Sequence, residues 1–222
     1  MKRFICCILK PLLILLLSVL LFNSCEIIRP FSKHGIRAND ETAVDTLNKY
    51  YPDSNYVYKI DSSKTNDEFI DWSSARINGK LPLITNTKDL YRLLGQPDSI
   101  VTPNYDDVSV RFYDEKEFKN AYFKGSDFEI YGDTAVVCIL NFEKNPDLEF
   151  TSGSLILNHN TTLADLKKVF PKAVRARSKN NNWGFGKCTE INLATWKYYN
   201  DDSWLLFFQK GRLVRIDHWM PD

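Results

Sequence analysis

Cysteine and histidine are the residues of this chain best suited to catalysis or metal binding, and their spacing argues against most of that chemistry. There are five cysteines and three histidines in 222 residues. His34, His159 and His218 form no His-x-x-x-His pair, and no Cys-x-x-Cys occurs, so the strong zinc signatures are missing. Gly125-Ser126 and Gly153-Ser154 lack the flanks of a nucleophile elbow and read as turns. Cys188 with His218, or Cys138 with His159, keeps a thiol–imidazole pair open, because such partners meet in space rather than along the chain. Acidic groups cluster at Asp106-Asp107, at Asp114-Glu115 with Glu117, and at Asp201-Asp202. None has the Asp-x-Asp-x-Asp-Gly form that converges oxygens on calcium, so solvated turns explain them. No metal, no cofactor and no catalytic apparatus is expected.

The elements that must carry these residues begin with an export signal. Lys2 and Arg3 form a positive n-region, Leu12 to Phe22 an apolar h-region, and Ser24 precedes Cys25. A transmembrane helix is the competing reading. Lys10 and Pro11 interrupt the apolar stretch, and what remains falls well short of the roughly 20 residues a span needs. Leu20-Leu21-Phe22-Asn23-Ser24-Cys25 resembles the lipobox of bacterial lipoproteins, whose cysteine is acylated and becomes the first mature residue. The resemblance implies a signal over 1–24, lipidation of Cys25 with fatty acids such as palmitate, and membrane attachment in the cell envelope. Several acyl chains together give stable anchoring where one does not. The outer membrane is the expected location.

Composition narrows the partners. Removing the signal removes Lys2, Arg3 and Lys10 from 29 basic residues, leaving 26 against 28 acidic ones. A near-neutral domain with no basic stripe excludes the phosphate-backbone binding that nucleic acid demands. Cys6 and Cys7 leave with the signal, so beyond the lipid site only Cys138 and Cys188 remain. An oxidising compartment permits a disulfide between them; two buried free thiols are the alternative.

Residues 25–39 are polar and read as a tether, and 40–70 as a helical or irregular extension. Val44, Leu47 and Tyr51 have helical spacing within it, and Tyr56 to Ile60 suits a short strand. From residue 71 the chain is orderly and contains an internal duplication, 71–150 and 151–222. Setting Asp89-Leu90 on Asp165-Leu166 aligns Asn86 with Thr162, Leu93 with Val169 and Leu94 with Phe170. Each copy has a capping residue three before an aspartate, then apolar residues at helical spacing, then a Gly or Pro stop. Leu81 to Ile84 and Leu155 to Leu157 read as lead-in strands. Val108 to Tyr113 and Ile191 to Tyr199 are strand-like. Hairpins follow: Phe128 to Tyr131 with Ala135 to Phe142, and Trp204 to Gln209 with Arg212 to Trp219. The expected fold is α+β, two tandem helix-plus-antiparallel-meander repeats with helices packed on one face of the sheet.

The run Asn86-Thr-Lys-Asp-Leu-Tyr-Arg-Leu-Leu94-Gly95-Gln-Pro97-Asp98, followed by a meander, resembles the small lipoprotein of the barrel-assembly machinery. It is also similar to the tandem β-lactamase-inhibitor-protein fold. The resemblance extends over Leu81 to Trp219, with Leu94-Gly95-Gln96-Pro97 as its specific corner. It implies a non-catalytic protein that binds another protein through its sheet or loops.

Asn180-Asn-Asn-Trp183-Gly-Phe185-Gly186 is the segment best suited to contact, because loop aromatics bury much area at small entropic cost. Trp183 folded back over the sheet is the bland alternative. The leading expectation is therefore an envelope lipoprotein that binds a protein partner through Trp183 and Phe185. A surface glycan-binding lipoprotein, motivated by five Trp and eleven Tyr, comes second, and a hydrolase third.

Overall fold

The computed structural model describes residues 61–105, 112–113, 116–181 and 186–221. The signal, Cys25, the tether, most of the 40–70 extension, Val108 to Arg111, and the loop aromatics Trp183 and Phe185 lie outside the described residues.

The described chain is mostly antiparallel β-sheet. It opens with β1 (Asp61–Thr65), a 3-10 turn (Trp72–Ser74), β2 (Ala75–Ile77), β3 (Leu81–Pro82) and β4 (Ile84–Asn86). Helix α1 (Thr87–Leu94) follows, then β5 (Ser99–Val101), β6 (Lys119–Phe123), β7 (Ser126–Tyr131) and β8 (Thr134–Asn141). After β9 (Phe150–Ser152) and β10 (Leu155–Leu157) come α2 (Leu163–Val169), α3 (Pro171–Ala176) and β11 (Ser178–Asn180). The chain ends with β12 (Cys188–Ala194), β13 (Tyr198–Tyr199), β14 (Ser203–Gln209) and β15 (Arg212–Trp219). With only these three helices among the described residues, β-structure dominates the expected α+β fold, and the helices are minor elements.

The main sheet runs β11-β12-β14-β15-β8-β7-β6-β5, with β4 pairing β8 as a ninth strand. β8 is shared along its length. β4 holds Thr134 to Val136, β15 holds Ile139 to Asn141, and β7 pairs its opposite side. A smaller sheet, β10-β9-β2-β3, and the β1–β13 pair complete the strands.

Local sequence explains where the helices start. Asn86 accepts from the Lys88 backbone N–H, and Thr162 with Asp165 forms a reciprocal capping box, so each satisfies orphan donors of the first turn. Gly95 ends α1 with φ of 88°, a conformation that favours glycine. The second stop does more than expected. Pro171 follows Phe170, the C-cap of α2, as a stop should, and it also opens α3 at its first position, where a missing N–H does no harm. The β14–β15 turn places Lys210 and Gly211 at φ of 48° and 78°, as a two-residue hairpin turn requires.

Among the described residues one large core, with Trp204, Phe128, Phe142, Phe150 and Phe208 essentially inaccessible, is joined by a small cluster of Cys188, Leu205 and Phe207. The alternation expected around Phe112 and Tyr113 is not realised as a strand at those two residues; the strand is β6, six residues on. Its Lys119-Asn120 start is polar, so only Ala121 and Phe123 signal an inward face.

Residues 61–72 belong to this fold. β1 pairs with β13, the Ile70 and Trp72 N–H groups donate to Ala194 and Thr195 carbonyls, and Trp204 Nε1 donates to the Ile70 carbonyl. The Trp72 ring stacks on Trp204 at 5.0 Å and on Phe112 at 5.9 Å. Residues 61–72 thus staple the second half of the chain to the loop of the first.

Candidate functional site

The chemistry-bearing side chains gather beneath Trp72, inside the core. His218, on β15, is caged by Trp72 at 4.2 Å and Trp204 at 5.3 Å, centroid to centroid. Its Nε2 lies 3.5 Å from Asp202 Oδ2, with both side chains almost wholly buried. On β7, Glu129 Oε2 accepts from the Tyr131 hydroxyl at 2.5 Å and from the Phe112 N–H at 3.0 Å. The Tyr131 oxygen in turn accepts from the Tyr113 N–H at 3.3 Å. These bonds fasten the β5–β6 connection to the sheet. A second pin is Tyr105, whose hydroxyl donates to the Phe118 carbonyl and accepts from its N–H.

The electrostatics of this set run against nucleophilic chemistry. Burial raises the carboxyl pKa of Glu129, although the Tyr131 and Phe112 bonds pull it back. Cys138 is pushed well above the ordinary thiol value, first by burial and then by the carboxylates of Glu129 and Asp127. An activated thiolate needs neighbouring positive charge. Cys138 has the reverse.

The two thiol–imidazole pairs allowed by sequence are not assembled in these positions. Cys188 packs with Leu205 and Phe207, while His218 is cross-strand from Trp204. Adjacent strand residues point to opposite faces, so Cys188 and His218 lie on opposite sides of the sheet. The groups acting on the Cys138 thiol are carboxylates, and His159 lies in the turn before α2. The disulfide alternative is corrected likewise. Cys138 and Cys188 are free thiols. β8 and β12 are separated by β15 and β14, roughly 14 Å at the usual strand spacing, beyond the reach of a disulfide.

Of the acidic clusters, Asp202 is buried against His218 and not part of a solvated turn, while Asp201 is exposed. Asp106-Asp107 and Asp114-Glu115 lie outside the described residues, and Glu117 is exposed. Among the described residues no group of three or more His, Cys, Asp or Glu is arranged to hold a metal ion, and no helix is long and apolar enough to cross a membrane.

A second polar group on the sheet escaped the sequence reading. Asp127 on β7 is buried, accepts from Asn120 Nδ2 on β6 at 3.0 Å, and neighbours Glu129. Its pKa is raised to about 6, chiefly by burial. Asp217 on β15 is also raised by burial, opposed by its two bonds from Arg215. The only hint in the sequence is the alternation Asp127, Glu129, Tyr131, which places polar groups at inward-facing strand positions.

The surface offers different chemistry. Ile100 and Val101 are about half exposed, at 49% and 48%, on β5, the last strand of the sheet among the described residues. Tyr199 and Trp219 are exposed either side of the 200–202 turn, because Trp219 pairs with Ser203 just beyond it. Lys64 Nζ lies 5.8 Å from the Tyr199 ring, and Lys197 Nζ 5.3 Å from that of Tyr198. No known family model, curated protein or solved structure matches the chain.

Proposed function

We propose that this protein is a lipid-anchored cell-envelope lipoprotein, attached through Cys25, that acts as a non-catalytic module binding another envelope protein. One observation carries the reading. The thiol and carboxyl groups best suited to chemistry are turned inward and shifted toward their uncharged forms, while Tyr199 and Trp219 face solvent. Exposed aromatics beside lysines make contact surfaces that bury apolar area and keep a polar rim. Trp183 and Phe185 are the second contact set in this reading.

Strand order supports a tandem-repeat architecture. From β5 the order is β5-β6-β7-β8, and from β11 it is β11-β12-β14-β15. Each half has a capped helix and then four strands of the main sheet, the second half adding α3 and β13, and the last strands of the halves meet at the β8–β15 seam. That arrangement suits two copies of one helix-plus-meander unit related by an approximate twofold at the seam. The kinship with the barrel-assembly small lipoprotein and the β-lactamase-inhibitor-protein fold is part of this proposal and rests on the Leu94-Gly95-Gln96-Pro97 corner.

The test uses the full chain in its own envelope. Cys25→Ala is expected to abolish acyl-chain incorporation and release the protein from membranes. A photo-crosslinker placed at Trp219, Tyr199 or Trp183 is expected to give one discrete protein adduct, absent when it is placed at exposed Lys80. Uniform adducts from all four positions, or none from the aromatic positions, would overturn the binding reading.

A further inference from the structure

Two buried acceptors on adjacent strands lack donors, and they belong to side chains that are already bonded to each other. Asn120 Nδ2 donates to Asp127 Oδ2 at 3.0 Å. The remaining oxygens, Asn120 Oδ1 and Asp127 Oδ1, are both buried and have no hydrogen-bond partner. Leaving two buried acceptors unpaired is costly, and native proteins seldom do it. Each orphaned oxygen shares a carbon with an atom of the existing bond. A carboxylic acid and a primary amide can close a ring of two hydrogen bonds, with the amide N–H donating one way and the acid O–H the other. One proton on Asp127 therefore satisfies both orphans together.

We infer that Asn120 and Asp127 form a proton-closed clasp between β6 and β7, shut when Asp127 carries its proton and open when it does not. Burial of the carboxyl outweighs the Asn120 and Phe128 N–H groups, which favour its ionised form. Glu129 on the same strand repels an ionised Asp127, and the Tyr122 hydroxyl on β6 and the Cys138 thiol on β8 also feel its charge. Arg215 on β15 attracts it, but that guanidinium is committed to Asp217 through two bonds. The position of Asp127 beside the β7–β8 irregularity, where register shifts between Asp127 and Phe128, leaves the strand less tied there by its ladder.

Opening the clasp has a structural consequence. Among the described residues, β6 joins the rest of the sheet through β7, and β5 is joined only through β6. Deprotonation therefore loosens the outermost two strands, including the exposed Ile100 and Val101. The clasp makes the order of this sheet edge depend on the pH around the protein. It stands apart from the partner-binding reading, and either can fail without the other.

Amide hydrogen exchange of the 119–123 and 99–101 segments, corrected for the intrinsic pH dependence of exchange, tests it in the full chain. Between about pH 5 and about pH 8, protection of these segments is expected to fall by up to roughly tenfold, the ratio set by a carboxyl that titrates at about 6 with the clasp shut and at 3.8 with it open. In Asp127→Asn the fall should vanish, because two amides close the same ring without a proton. In Asn120→Ala protection should already be low at the acidic end and stay level. Carbon-13 titration of the Asp127 carboxyl in the wild type adds a readout that needs no variant. An ordinary carboxyl titration with level protection would overturn the clasp, as would an unchanged fall in Asp127→Asn.

Discussion

Tyr131 and Glu129 show how one residue choice governs a buried network. The Glu129 carboxyl has three tasks at one site: it accepts from the Tyr131 hydroxyl, accepts from the Phe112 N–H, and tolerates burial. Tyr131→Phe removes a donor while leaving the carboxyl buried, so it is expected to cost about 1–3 kcal/mol in urea unfolding. Glu129→Gln keeps an acceptor for both donors and removes the charge, so near neutral pH it should cost less than Tyr131→Phe. A larger loss for the glutamine variant would show that the charge itself holds the Phe112 backbone. This network was hardly legible in sequence. Tyr131 and Glu129 read simply as strand residues, because what makes them a site is the arrival of Phe112 and Tyr113 from a connection many residues earlier.

Among the elements, α3 is informative because it has no side-chain cap of its own. Glu68 supplies one from far along the chain, its two oxygens accepting from the Lys172 and Ala173 N–H groups at 2.8 and 2.7 Å. A carboxylate there also complements the helix dipole. Glu68→Ala is expected to destabilise by about 1–2 kcal/mol, as loss of a cap does. Lys172→Ala breaks the exposed pair with Asp67 and removes a charge near Glu68 but keeps the backbone N–H that Glu68 caps, so it should leave the unfolding midpoint nearly unchanged. Equal effects of the two variants, by thermal or urea unfolding, would show that the ion pair and not the cap positions α3. The first two helices were readable because their caps are local, Asn86 and Thr162 acting within three residues. α3 was not, because its cap comes from the segment before the first repeat.

At the scale of the whole molecule, buried carboxylates set the response to pH. Asp127, Glu129 and Asp217 all have folded-state pKa values raised by burial. A raised carboxyl binds more protons folded than unfolded between the two values, so its stabilising contribution is complete at low pH and declines as pH rises. For Asp127 the window runs from 3.8 to about 6. From about pH 5 to about pH 8 this group alone lowers stability by about 1.4 kcal/mol, and the other two act in the same direction. Below that window the lowered pKa values of exposed Asp67 and Asp165 oppose the trend. Urea midpoints are therefore expected to be higher at about pH 5 than at about pH 8. A flat or rising profile over that range would contradict the burial of these groups.

The division between sequence and structure follows from the range of the forces involved. Hairpins at Gly132-Asp133 and Lys210-Gly211, the caps of α1 and α2, and the strand alternation of β15 were set by neighbours within a few residues. So were the features of the amino-terminal segment from which a lipid anchor at Cys25 is proposed. Tertiary structure decided the rest: the β8–β15 seam, the stapling of residues 61–72 onto the second half, and the separation of Cys138 from Cys188. It also paired Asn120 with Asp127. Pairing between distant strands depends on which apolar surfaces can be buried together, and a local pattern specifies that a strand has an inward face without naming the strand it will meet.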